Sequence, residues 1–220
     1  MKGKITEKIV PYILVAPAMI GILLFVVYPI IKLIHMSFYK VNQLNAAKTK
    51  FVGLENYEKI FKTSEFQKAL VNTGYYSLFM ILIVLGCSLI CAVWLGSRAT
   101  KMNSFTQAAA FLPHIISMVS IGLIFQQMMD PDFGVFNSVL KALGLPASQF
   151  LRSSDTALAS VIFTSAWKSI GYYTLILIAA LQSIPQSIYE AADLDNAGKC
   201  RTFFKITLPL ISPQIFFVLI

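Results

Sequence analysis

Apolar and polar positions fall along this chain in long blocks, not in the short rhythm of a soluble domain. Residues 9–31 carry no charge, and neither do 69–97 or 102–129; 156–181 carry one, Lys168, and 208–220 none. A helix needs about 20 mainly apolar residues to cross the hydrocarbon core of a bilayer. The first four blocks therefore predict membrane spans, and the fifth predicts a span cut short. The first block is too long for a cleaved signal sequence, whose apolar core runs to roughly 7–15 residues, and no small-x-small site follows it. It is read as a retained span. The expected fold is all-α, a polytopic transmembrane helical bundle occupying 1–220 as one domain.

The segments between the blocks predict shorter elements. In 32–68, Leu54, Tyr57 and Phe61 share helical spacing and predict a surface helix, with Ser64 and Gln67 spaced as a capping box for the next helix. Arg98 and Lys101 make so short a link that the second and third blocks are expected as antiparallel neighbours. In 130–155 a turn at Asp130-Pro131 precedes a short amphipathic piece ending at Gly144, and Ser153, Ser154 or Asp155 is placed to cap the following helix.

Composition sharpens the membrane reading. Hydrophobic residues make up 57% of the chain and charged residues 13%, against about 25% charged in soluble domains. The net charge of +8 comes from lysines and arginines scattered between blocks, a distribution that fits anchoring at the lipid interface and not a nucleic-acid footprint. Membrane lipid is the expected surrounding. Cys87, Cys91 and Cys200 are too few for a disulfide framework, and Cys87 and Cys91 have no nearby His or carboxylate to complete a metal site.

Three polar side chains inside the blocks are candidates for a pathway. A lysine near the bilayer centre costs about 2.5–3.5 kcal/mol, so Lys168 is expected to point into the bundle or water, unless its block is shifted and it snorkels to the headgroups. His114, beside Pro113, either lines the pathway or bonds to a neighbouring helix. Tyr172 and its neighbour Tyr173 either offer hydroxyls to a cavity or pack as ordinary aromatics.

The densest polar segment, 183–209, lies between the fourth and fifth blocks. Pro185 suits the first turn of a helix, Ile188, Ala191 and Ala192 share a shallow face that another protein's backbone could approach, and Asn196 and Gly198 tolerate the positive φ that ends a helix. Glu190-Ala191-Ala192, followed by Ile206 and Leu208-Pro209 at fixed distances, resembles the EAA loop of binding-protein-dependent ABC importer permeases. Asn196 stands where that family has Gly. The run from Leu181-Gln182 through Ile184-Pro185 and Tyr189 to Pro209 is similar to the sugar (carbohydrate uptake) branch, the maltose and glycerol-phosphate type permeases. Gly53-Leu54-Glu55-Asn56-Tyr57 looks like the same family.

This resemblance implies a type I ABC importer permease fold and a sugar importer's transmembrane subunit in the bacterial inner membrane. It implies as partners ABC ATPase subunits, a second permease subunit and an extracytoplasmic solute-binding protein. Glu190, Ala191, Ala192, Asp195, Asn196 and Gly198 would couple the chain to the ATPases, and Lys168, Tyr172 and His114 would line the substrate pathway. Counts of basic residues do not decide orientation; the even number of crossings sets 183–209 on the side of the N-terminus, which is cytoplasmic if that loop meets an ATPase. The chain has no GxxxxGK[ST] loop, since Gly198-Lys199 is followed by Cys200, so ATP would be bound by the partner subunits and no cofactor is expected here. A non-sugar solute such as glycerol phosphate is the nearest alternative. A membrane-embedded enzyme using His114, Asp130 or Lys168 is a more distant one, because it would need ionisable groups converging at one depth.

Overall fold

The computed structural model describes residues 2–41, 49–96 and 101–220, with side chains of 2–9 and 101 excepted. The expected link at Arg98 and the side chains of Lys2, Lys4, Lys8 and Lys101 lie outside the described residues. Chain contacts divide the molecule into two compact units, 1–70 and 71–220.

In the first unit, α1 (Lys2–Ile22) runs through a π-helical turn (Leu23–Val27) into α2 (Tyr28–Ser37). The apolar rod Val10–Ser37 extends six residues past the expected end of the first block at 31. A two-residue antiparallel ladder follows, β1 (Tyr39–Lys40) with β2 (Lys50–Phe51), which the all-helical expectation did not contain. The surface helix appears as α3 (Glu55–Lys62). Asn56 ties it to the end of α2 and to β1 by donating to the carbonyls of Ser37 and Tyr39, at 2.8 and 3.0 Å. The Ser64/Gln67 capping box does not form: α4 (Ser64–Gly96) starts after Thr63, and the Gln67 amide reaches back to the Phe61 carbonyl at 2.8 Å.

In the second unit, the third apolar block is not one straight span. It is α5 (Lys101–Ile115) and α6 (Met118–Met128), bent by 96° at the break between them. The helix runs through Pro113 to Ile115, and Ser117 at ψ 138 leaves the helical region, so the helix stops and restarts. Then come α7 (Val135–Ala142), a 3-10 turn (Phe150–Arg152) and α8 (Ser154–Gln182), whose N-cap is Ser153, its hydroxyl accepting from the Asp155 amide at 3.3 Å. The chain ends in α9 (Gln186–Leu194), α10 (Lys199–Thr202), a π-helical turn (Phe203–Thr207), α11 (Leu208–Leu210) and α12 (Ser212–Leu219). By length and composition Val10–Ser37, Ser64–Gly96 and Ser154–Gln182 can cross a membrane, as can the two bent pairs if each counts as one span.

Helix α8 is the centre of this unit. Ala92 and Leu95 of α4 pack on its Leu177 and Ile178, with Ile215 and Val218 of α12 against them. Ser88, fully buried, donates its hydroxyl to the Ile170 carbonyl at 3.0 Å, a polar tie between α4 and α8. A second cluster, Ile121, Phe125 and Met129, is sealed by Phe136 and Phe150.

Candidate functional site: a capped loop helix and a polar cluster at a helix break

Two regions hold the residues singled out above, both in the second unit. The first is α9 and its exit. Pro185 is the N-cap at ψ 134, so the helix begins one residue later than the sequence suggests. Its C-terminus closes as a Schellman motif: the Asn196 amide donates to Asp193 O at 3.1 Å and the Ala197 amide to Ala192 O at 2.9 Å. The left-handed position is Asn196, at φ 52. Gly198, by contrast, sits at φ −62 and is the N-cap of α10, so it does not use the positive φ expected of it.

The face expected to be shallow is divided by the fold. Ala192 is only 4% exposed and faces its own chain. The Tyr189 and Thr207 hydroxyls meet at 3.3 Å on the same side, tying α9 to the π-helical turn. Ala191, Glu190 and Asp195 are exposed, and Leu194 is 85% exposed, a bare leucine among acids. The free side of α9 is therefore Ser187, Glu190, Ala191 and Leu194, with Leu194 in place of Ala192. Sequence periodicity could not separate the two faces, because Ala191 and Ala192 are adjacent and both small. Behind the helix lies a cleft of about 830 Å³ whose wall includes Gln182, Gln186, Tyr189, Asp193 and Lys199.

The second region forms where α8 crosses the break between α5 and α6. The three candidates converge there. Lys168 Nζ donates to the carbonyls of Pro113 (3.3 Å), His114 (2.8 Å) and Ile116 (2.8 Å). One turn further on, Tyr172 stacks on the His114 ring with centroids 4.3 Å apart and planes 8° from parallel, and Phe111 flanks both rings. His114 Nδ1 is buried with no hydrogen-bond partner among the described residues. Contact this close rests on Gly171: a Cβ there would lie 1.7 Å from the Ala110 carbonyl oxygen, so α5 reaches α8 only because the side chain is missing. Sequence reading passed over Phe111 and the role of Gly171; the signal was present as three alanines, 108–110, on the facing helix. No group of three or more His, Cys, Asp or Glu placed to hold a metal occurs among the described residues.

The C-terminal end of α6 is built on charge and amide chemistry. Asp130 accepts from the amides of Asp132 and Phe133 at 2.9 and 3.1 Å, and Arg152 bridges Asp130 and Asp132 at 2.9 and 3.1 Å. The Phe133 and Asp132 amides, with the Arg152 guanidinium adding to them, hold the Asp130 carboxyl below its ordinary pKa. Buried Asn137 stitches the loop, donating to Pro131 O and Ser148 O and accepting from the Ser148 amide, all within 3.0 Å.

Comparison with known proteins gives one family. Residues 85–220 match the model of the family described as "Binding-protein-dependent transport system inner membrane component". The chain is 38% identical over 206 residues to the probable ABC transporter permease protein YurN of Bacillus subtilis, covering 92% of this chain and 70% of that protein. It is 32% identical over 214 residues to the arabinooligosaccharides transport system permease protein AraP of Halalkalibacterium halodurans, covering 97% and 66%. Among solved structures, a bacterial alginate ABC transporter in complex with an alginate pentasaccharide-bound periplasmic protein has a chain that superposes with a TM-score of 0.82. The two are 27% identical, and the match covers 96% of this chain and 70% of that one.

Proposed function

We infer function from one premise: the chain belongs to the binding-protein-dependent transport system inner membrane component family, whose members are transport proteins and not enzymes. On that premise it is the saccharide-conducting membrane subunit of an ATP-driven importer. It works with ABC ATPase subunits, a second permease subunit and an extracytoplasmic solute-binding protein, in the inner membrane with its N-terminus in the cytoplasm. The named solutes of its relatives support a saccharide, since an arabinooligosaccharide permease and an alginate transporter both align over nearly the whole chain.

The observation that carries the mechanism is the build of α9. A helix of nine residues, closed at its end by two backbone hydrogen bonds and tied to the following span through Tyr189 and Thr207, moves with that span as one body. Its free side offers an ATPase Glu190, Ala191 and exposed Leu194. Rearrangement of the ATPases on nucleotide binding displaces this knob, and the helices joined to it switch the pathway between outward and inward openings. The coupling free energy is the difference between the contacts made in the two states. Residues 183–209 thus act as the coupling loop, Asn196 setting its exit and Gly198 starting the next helix, while Lys168, Tyr172 and His114 lie in the pathway region.

The test is association. Leu194→Asp puts a charge on the docking side without touching the buried side. Co-purification of the ABC ATPase with the membrane subunits is expected to fall at least about tenfold, the effect of roughly 1.4 kcal/mol, with insertion unchanged. Recovery of the ATPase at the wild-type level overturns the docking assignment.

A further inference from the structure

Lys168 is the one charged residue within 156–181, and its ammonium is already engaged by backbone carbonyls. An ammonium has three N–H donors and no acceptor. All three find carbonyl oxygens, two from the last turn of α5 (Pro113 and His114) and one from the connecting residue Ile116. The last four carbonyls of any helix lack partners within it and carry the negative end of its dipole. In a hydrocarbon environment such carbonyls must be satisfied by protein. The 96° bend between α5 and α6 exposes them, and the cation that answers them comes from α8.

We propose that Lys168 is a positioning residue: its ammonium is a tethered cap that holds the break between α5 and α6 bent, and so fixes where His114 and Tyr172 meet. The break is then set by α8. Because Lys168 and Tyr172 are one turn apart on α8, while His114 and the three carbonyls lie together on α5 and its exit, any sliding of α8 along α5 breaks the cap and the ring stack together. Lys168 is not a reader of solute charge. That geometry stands on the carbonyl contacts alone; its bearing on transport rests on the function proposed above.

The experiment reads the bend directly. In the full chain assembled with its partner subunits in lipid nanodiscs, with Cys87, Cys91 and Cys200 replaced by Ser, spin labels at Phe105→Cys and Leu123→Cys report the α5–α6 separation. Both positions are exposed. At a rise of roughly 1.5 Å per residue, straightening the break lengthens that separation by about 10 Å. Lys168→Met is expected to broaden the distribution toward longer distances and Lys168→Arg to keep the wild-type one. Lys168→Ala is expected to regain it when n-propylammonium, the missing part of the side chain, is added, and not with 1-propanol. The proposal is overturned if Lys168→Met leaves the distances unchanged, or if 1-propanol restores them as well as the amine does. It is overturned equally if Lys168→Arg, purified intact, loses the bend. If instead Leu194→Asp still recovers the ATPase while the bend obeys these rules, the cap stands and the docking reading falls.

Discussion

At the scale of single residues, the chain shows which substitutions a backbone tolerates and which a contact forbids. Asn196 holds φ 52 at the position of the Schellman turn where glycine is commonest. Only Gly, Asn and Asp visit this region readily; a residue with a Cβ branch is penalised by about 1–2 kcal/mol. Asn196→Gly is therefore expected to leave the complex as stable as wild type. Asn196→Val is expected to lower its thermal unfolding temperature and to uncouple ATP hydrolysis from uptake, both read on the purified transporter. Equal unfolding temperatures for the Val and Gly variants would mean that the turn carries no backbone strain. Gly171 illustrates the opposite kind of constraint, since its φ is ordinary and what it provides is room for the Ala110 carbonyl.

At the scale of elements, two π-helical turns have one cause. Leu23–Val27 precedes Pro29, and Phe203–Thr207 precedes Pro209, with the same spacing. A proline offers no N–H to the carbonyl four residues earlier, and its ring crowds that carbonyl. Widening the preceding turn to an i to i−5 bond, Tyr28 to Leu23 and Leu208 to Phe203, absorbs the conflict without ending the helix. The break after α5 is of another kind: Pro113 stays inside the helix, which runs on to Ile115, and Lys168 takes the carbonyls of Pro113, His114 and Ile116 at the open end. This explains which parts of the fold the residues alone disclose. The apolar blocks are legible because lipid demands about 20 residues of one character, and the Asn196 turn and Gly144 turn are legible because few residues accept positive φ. The bend at 116–117 is not, because the group that stabilises it lies about 50 positions away in the sequence. Likewise the exposed side of α9 depends on what packs behind it, which periodicity does not carry. The loop after α6 yields its own expectation. Asp130 has its pKa depressed in the fold, so its contribution is fully present above the unfolded carboxylate value, about 3.9, and is lost as pH falls through the lower folded one. Thermal stability measured between neutral pH and about pH 3 is expected to drop at the acid end for the wild type. The drop should be smaller for Asp130→Asn, whose neutral amide has no proton to take up there; matching acid profiles would remove Asp130 from this role.

At the scale of the whole molecule, the question is which regions share a side of the membrane, and the chain carries its own reporter. Four crossings between the N-terminus and α9 return the chain to the side on which it began, provided the bent pair α5 and α6 counts as one crossing and not as a loop that re-emerges where it entered. The coupling reading needs the first alternative, because a re-entrant pair would leave an odd number of crossings. Cys200, at the start of α10, is exposed and only a few residues from the end of α9. With Cys87 and Cys91 replaced by Ser, a membrane-impermeant maleimide is expected to label Cys200 in inverted vesicles and not in right-side-out ones. Leu54→Cys, placed in the loop after the first apolar rod and tested with Cys200 also replaced by Ser, is expected to label with the opposite preference. Labelling of both positions from one side would make the bent pair re-entrant and put α9 out of reach of a cytoplasmic ATPase. Labelling from opposite sides, with Cys200 inward, fixes the loop where nucleotide-driven motion can reach it and the cap at Lys168 within the bundle that this motion rearranges.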